Sequence, residues 1–178
     1  VALPYPAFPS PEATLTADGA LDDFARAMAL DALPIAAPGD VAAHLRRAMA
    51  DGAQPGERRA QAAAAALRPC FVEANRALAA RGVDATWTWF YTATGARNGV
   101  AWRWYRVTAA ERAASERAGA LTAEAFARNL AARTSAAVVF YALLAAAWAR
   151  GSTPVYAAAF AAFATYLVLR WRLPLRPR

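Results

Sequence analysis

The sequence predicts a mainly α membrane protein, with a small N-terminal helical unit, one β-hairpin and a C-terminal two-helix transmembrane hairpin. Three observations predict it. Residues 134–149 (TSAAVVFYALLAAAWA) and 154–169 (PVYAAAFAAFATYLVL) carry no charge, and only Arg150-Gly151-Ser152-Thr153 separates them. Residues 86–107 are dense in β-branched and aromatic side chains around an Asn-Gly pair. Between 20 and 82, apolar residues recur at helical spacing between Pro and Gly punctuation.

Residues 1–19 read as an extended, proline-rich arm. Four prolines fall between Val1 and Pro11, which excludes a helix or a central strand. Tyr5 and Phe8 between them mark a docking arm. Residues 20–82 read as a soluble helical unit. Its first helix carries Leu21, Phe24 and Met28 on one face and closes before Pro34. Asp40 is the expected cap of a second, with Val41, Leu45 and Met49 inward. Pro55 opens a third that runs to Arg81 and stops at Gly82, with Pro69 kinking or splitting it. Leu67, Phe71, Asn75 and Leu78 form its stripe.

Residues 83–108 read as an aromatic hairpin. A two-residue Asn98-Gly99 loop would place Arg97 opposite Val100 and Ala93 opposite Trp104. Side-chain alternation then gathers Trp87, Trp89, Tyr91, Trp102, Trp104 and Arg106 on one face. Such a face needs cover from the helical unit, a partner subunit or the membrane interface. With Tyr5 and Phe8, these six residues are the candidate partner contacts.

Residues 109–133 read as one amphipathic helix, residues 134–172 as the transmembrane hairpin, and 173–178 as a basic tail. Each uncharged run is short for a bilayer, but the first can lengthen backwards if Arg128 and Arg133 snorkel. Arg128, Arg133, Trp148, Arg150, Tyr156, Arg170, Trp171 and Arg172 are the expected interface anchors. Arginines flank the pair on the outside and only Arg150 lies between the runs, so both termini are expected on the stromal, matrix or cytoplasmic side. Alanines along both runs permit close backbone approach. The chain opens on Val1 and no leader-like segment follows, so a leader already removed, or a trimmed start, is expected.

The formal net charge of +7 is carried wholly by arginine, because lysine is absent. Acidic residues (Glu12, Asp18, Asp22, Asp23, Asp31) crowd the N-terminal part, and none follows Glu124. Positive charge therefore gathers around the apolar runs, which argues against nucleic acid as a partner despite the tryptophans. Cys70 is the one cysteine and His44 the one histidine. Neither has a partner at metal-ligand or nucleophile–base spacing, and no glycine-rich phosphate loop occurs. No catalysis, no metal and no intrinsic cofactor are expected. The pattern is that of an accessory or linker subunit within a multi-subunit, energy-transducing membrane complex.

The opening Val1-Ala2-Leu3-Pro4-Tyr5-Pro6 resembles the stroma-exposed start of chlorophyll a/c antenna-associated proteins of secondary plastids. The resemblance covers the arm alone. It implies a thylakoid location, a photosystem–antenna partner, and chlorophyll, carotenoid or lipid against the hairpin. The antenna pigment motif Glu-x-x-His/Asn-x-Arg is absent, Glu124 to Arg128-Asn129 having another spacing. Two spans stand where that family has three. The expectation is a linker rather than an antenna protein. An accessory subunit of a mitochondrial respiratory complex or ATP synthase, and a free-standing bacterial membrane-anchored binding protein, are the alternatives.

Overall fold

The computed structural model describes residues 6–10, 15–50, 56–93, 100–173 and 175, with backbone alone at 92, 93, 100 and 101. Its elements are mostly helices, with one small four-stranded sheet, and they fall into two compact units that divide after Thr122. The first unit holds β1 (Ala7–Phe8), α1 (Ala17–Ala29), α2 (Gly39–Ala48), α3 (Gly56–Ala66), α4 (Arg68–Ala80), β2 (Thr86–Ala93), β3 (Val100–Val107), α5 (Ala109–Arg117) and β4 (Leu121–Thr122). The second is α6 (Ala123–Arg150) and α7 (Thr153–Arg172).

Local chemistry sets the helix ends. Thr16 caps α1 by accepting from the Gly19 N–H at 3.1 Å, so α1 starts at Ala17, ahead of the expected Ala20. Asp40 is not the cap of α2. Pro38 holds that position and Asp40 lies in the first turn, where its charge meets the helix dipole. The expected third helix is split at Leu67 into α3 and α4, with Pro69 in the first turn of α4. Gly82 (φ +68°) and Gly119 (φ +96°) close α4 and α5 in the same way. Val83 N–H reaches Leu78 C=O at 3.1 Å, and Ala120 N–H reaches Ser115 C=O at 2.9 Å. Alpha helix α1 closes likewise, Leu33 N–H to Met28 C=O at 3.1 Å, but with Ala32 at φ +48° in the glycine position.

Residues 109–133 are not one helix. The Gly119 turn ends α5, Leu121-Thr122 pairs with Phe90 and Tyr91 along the free edge of β2, and α6 starts afresh at Ala123. The hairpin is also not a lone ribbon. The sheet order is β1-β3-β2-β4, so a two-residue strand covers each edge of the long pair.

The hairpin register differs from the expected one. Ala93 pairs with Val100 rather than Trp104, and six residues intervene instead of two. The Asn98-Gly99 turn lies outside the described residues. The observed register sets Trp89 opposite Trp104, Tyr91 opposite Trp102 and Trp87 opposite Arg106. Direct aromatic cross-strand pairs favour it over one that places Trp104 against Ala93. The change moves the partner by four residues, an even number, so the six residues expected on one face remain there.

That face lies on the helices. Phe71 of α4 is the hub, with ring centroids 4.7 Å from Trp104 (near-parallel), 5.1 Å from Trp87, 5.2 Å from Phe24 and 5.2 Å from Phe8. Leu45, Leu67 and Leu78 fill the remainder, all fully buried. The opposite face carries a smaller cluster of Ala7, Phe90, Tyr105 and Val107, with Ala120 against it.

Candidate functional site: aromatic ribbon and helical hairpin

The structure separates the two groups of candidate residues by their surroundings. Tyr5 lies outside the described residues. Phe8, Trp87 and Trp104, expected to meet a partner, are instead buried in the chain's own core. The arm docks on its own chain. Pro6 C=O accepts from Arg106 N–H at 3.3 Å, Phe8 pairs with Trp104, and Ser10 N–H donates to Asp23 Oδ2 at 2.8 Å. Trp89 is partly buried and stacks on Trp104 at 5.5 Å, and the Arg68 guanidinium sits 5.6 Å from its ring centroid. Tyr91 and Trp102 are half-buried, their rings stacked at 4.8 Å.

Arg106, half-buried, is likewise paired within its own chain. Its Nε and Nη2 donate to the two carboxylate oxygens of Asp31 at 2.7 and 2.6 Å. Donating to that carboxylate holds the Arg106 guanidinium above its ordinary value. Arg81 donates to the carbonyls of Asp31 and Ala32 at 2.9 and 3.3 Å, so two arginines clasp the turn after α1.

Asn75 carries a role that the sequence stripe did not reveal. Its Nδ2 donates to Trp87 C=O at 2.9 Å and its Oδ1 accepts from Trp87 N–H at 2.7 Å. The amide thus substitutes for a strand residue at the part of β2 that β4 does not reach. Its only sequence signal is a polar residue at an apolar position of α4. Trp104 adds a second such tie, its indole N–H donating to Ala64 C=O in the last turn of α3 at 2.8 Å.

The reactive residue types sit in ordinary places. His44 is exposed and Cys70 is buried. Burial, and then the Glu73 charge, push the Cys70 thiol upward, away from the reactive thiolate. The Glu111 carboxyl is held below its usual range by hydrogen bonds from the Thr108 backbone and hydroxyl, as part of the α5 capping box. Among the described residues no group of three or more His, Cys, Asp or Glu is placed to hold a metal.

The second unit has a different surface. Helices α6 and α7 are both long and apolar enough to cross a membrane. At ~1.5 Å per residue they extend about 42 and 30 Å. Gly151, at φ +60°, turns the chain, with its N–H on Ala147 C=O at 2.9 Å. The rings of Phe140 and Phe163 lie 5.0 Å apart, ten residues from Arg150 and from Thr153, which only an antiparallel pair allows. Besides that ring contact, small residues line the pair, and Ala147 and Ala159 are buried. Large apolar side chains point outward instead. Trp148 is 85% exposed, Trp171 75% and Phe160 71%, and Val138, Tyr141, Leu167 and Val168 are also exposed. Thr165 satisfies its hydroxyl internally on Ala161 C=O at 3.0 Å.

The expected anchors occupy the ends of this pair. Arg128, Arg170, Trp171 and Arg172 are exposed and Arg133 half-buried toward one end, while Trp148 and Arg150 are exposed and Tyr156 half-buried toward the other. Arg133 and Arg150 are seventeen positions apart, about 26 Å along the helix and close to the ~30 Å of a hydrocarbon core.

Comparison with known protein families, curated proteins and solved structures finds no match to this chain.

Proposed function

We propose that the chain is a non-catalytic accessory subunit of a multi-subunit membrane complex, held in the bilayer by α6 and α7. The observation that carries this is the outward-facing apolar surface of the hairpin. In water, a two-helix pair that buries Ala147 and Ala159 and exposes Phe160, Val138 and Leu167 would lose most of the hydrophobic stabilisation available to it. Lipid, or the apolar helices of neighbouring subunits, supplies the missing cover. The 26 Å arginine-to-arginine spacing supports the same reading, since snorkelling side chains add the remaining reach.

The first unit contributes a folded head joined to α6 without an intervening linker. Trp87 and Trp104 are consumed by its own core, so assembly contacts are assigned to the hairpin's outer surface and alanine faces rather than to these two. Cys70 buried and unactivated, His44 isolated and Glu111 committed to a cap all favour contact over catalysis. The photosystem–antenna setting rests on the opening residues, which favour a plastid over a mitochondrial or bacterial membrane.

Mild detergent extraction followed by native gel electrophoresis tests this. Co-migration with a large assembly is the expected result, and chlorophyll absorbance in that band would select the photosystem setting over a respiratory one. Migration as a single free chain that turns over a substrate would refute the proposal.

A further inference from the structure

We infer that the arginine-bearing end of the α6–α7 hairpin binds the headgroups of anionic phospholipids. The inference rests on the reading of both helices as membrane-spanning. The Phe140–Phe163 contact fixes their register. Arg133 stands seven residues before Phe140 and Arg170 seven residues after Phe163, so each lies about 10 Å from that contact, at one level. Arg172 lies about 3 Å further out and Arg128 about 8 Å further out at the same end. Trp171, 75% exposed, sits between Arg170 and Arg172 as an interfacial anchor.

The charge here is one-sided. Among the described residues none of the four guanidinium groups stands in a side-chain hydrogen bond or an ion pair. The nearest acid on their own helices is Glu124, a turn beyond Arg128, and no acid follows it in the sequence. At the opposite end Arg150 stands alone. Guanidinium groups bind phosphate oxygens through paired N–H donors. A phosphatidylcholine headgroup offsets its phosphate with its own ammonium, whereas phosphatidylglycerol leaves the negative charge free. Four guanidinium groups within about 8 Å of depth at one end of the hairpin complement the second headgroup, and in one leaflet only.

Native mass spectrometry of the full chain, released from detergent with equal amounts of phosphatidylglycerol and phosphatidylcholine, tests the inference. Phosphatidylglycerol adducts should predominate, by about fivefold for each arginine that contributes. The double substitution Arg133→Gln/Arg170→Gln should cut the preference by on the order of tenfold or more, and Arg150→Gln should leave it intact. Equal retention of the two lipids by the unaltered chain would overturn the inference, as would an unchanged preference after all four arginines become Gln. A chain that stays in membranes yet shows no headgroup preference defeats this inference alone. A chain released from membranes by alkaline carbonate defeats the spanning reading beneath it.

Discussion

Asn75 has consequences out of proportion to its size. Both polar atoms of its amide are spent on the Trp87 backbone, so Asn75→Ala strands a donor and an acceptor next to the core. Leaving each unpaired costs about 1–3 kcal/mol, and Asn75→Ala should lose about 2–4 kcal/mol of stability, measured by denaturant unfolding. The two buried tryptophans of the same face should behave differently from one another. The Trp104 indole N–H is bonded to Ala64 C=O, whereas that of Trp87 has no partner among the described residues. Replacement by Phe costs packing at both positions, but only Trp104→Phe breaks a bond and orphans a carbonyl. It should cost about 1–2 kcal/mol more than Trp87→Phe, and equal costs would contradict the assigned roles. Neither role is legible in sequence. The Arg106–Asp31 pair is equally hidden, because its partners are 75 residues apart and each reads locally as a surface charge.

Helix closure offers a cleaner test at the scale of elements. Three helices end with the same bond across a left-handed residue, and α1 alone uses Ala32 where α4 and α5 use glycine. A Cβ in that conformation costs about 1–2 kcal/mol, partly offset by the extra freedom glycine brings to the unfolded chain. Ala32→Gly should therefore raise the melting temperature of the purified chain by about 2 °C. Gly82 was legible as a stop because glycine punctuates an apolar period there. Alanine at position 32 carries no such signal, and in the sequence only Pro34 marks the end of α1. The sheet shows the same divide. Side-chain alternation assigned the six aromatic-face residues correctly, because that assignment survives any even shift in register. The register itself depended on a loop length that Asn98-Gly99 suggested and the described pairs contradict. Strands β1 and β4 are two residues each, too short for any periodicity to announce them. The apolar runs of α6 and α7 were the most legible feature, since absence of charge over sixteen residues needs no tertiary context.

For the whole molecule, the division after Thr122 separates a self-sufficient core from a surface that lacks one. The first unit buries Phe8, Phe24, Phe71, Trp87 and Trp104 in its own core, and the second exposes Trp148, Phe160 and Trp171. Side-chain alternation and the proline-rich arm place the candidate partner contacts in the first unit, and burial distinguishes Phe8, Trp87 and Trp104, packed at home, from the exposed Trp148 and Phe160 of the hairpin. Arginine placement further predicts that the two chain ends share a side of the membrane. Protease added to sealed, right-side-out vesicles should remove tags at both termini or at neither, and loss of one tag alone would contradict the topology. The central claim, that α6 and α7 lie within the bilayer, is tested most directly by alkaline carbonate extraction of membranes bearing the full chain. A spanning hairpin keeps the chain in the membrane pellet; its release into the soluble fraction would show that the apolar surface of the hairpin is covered by something other than lipid.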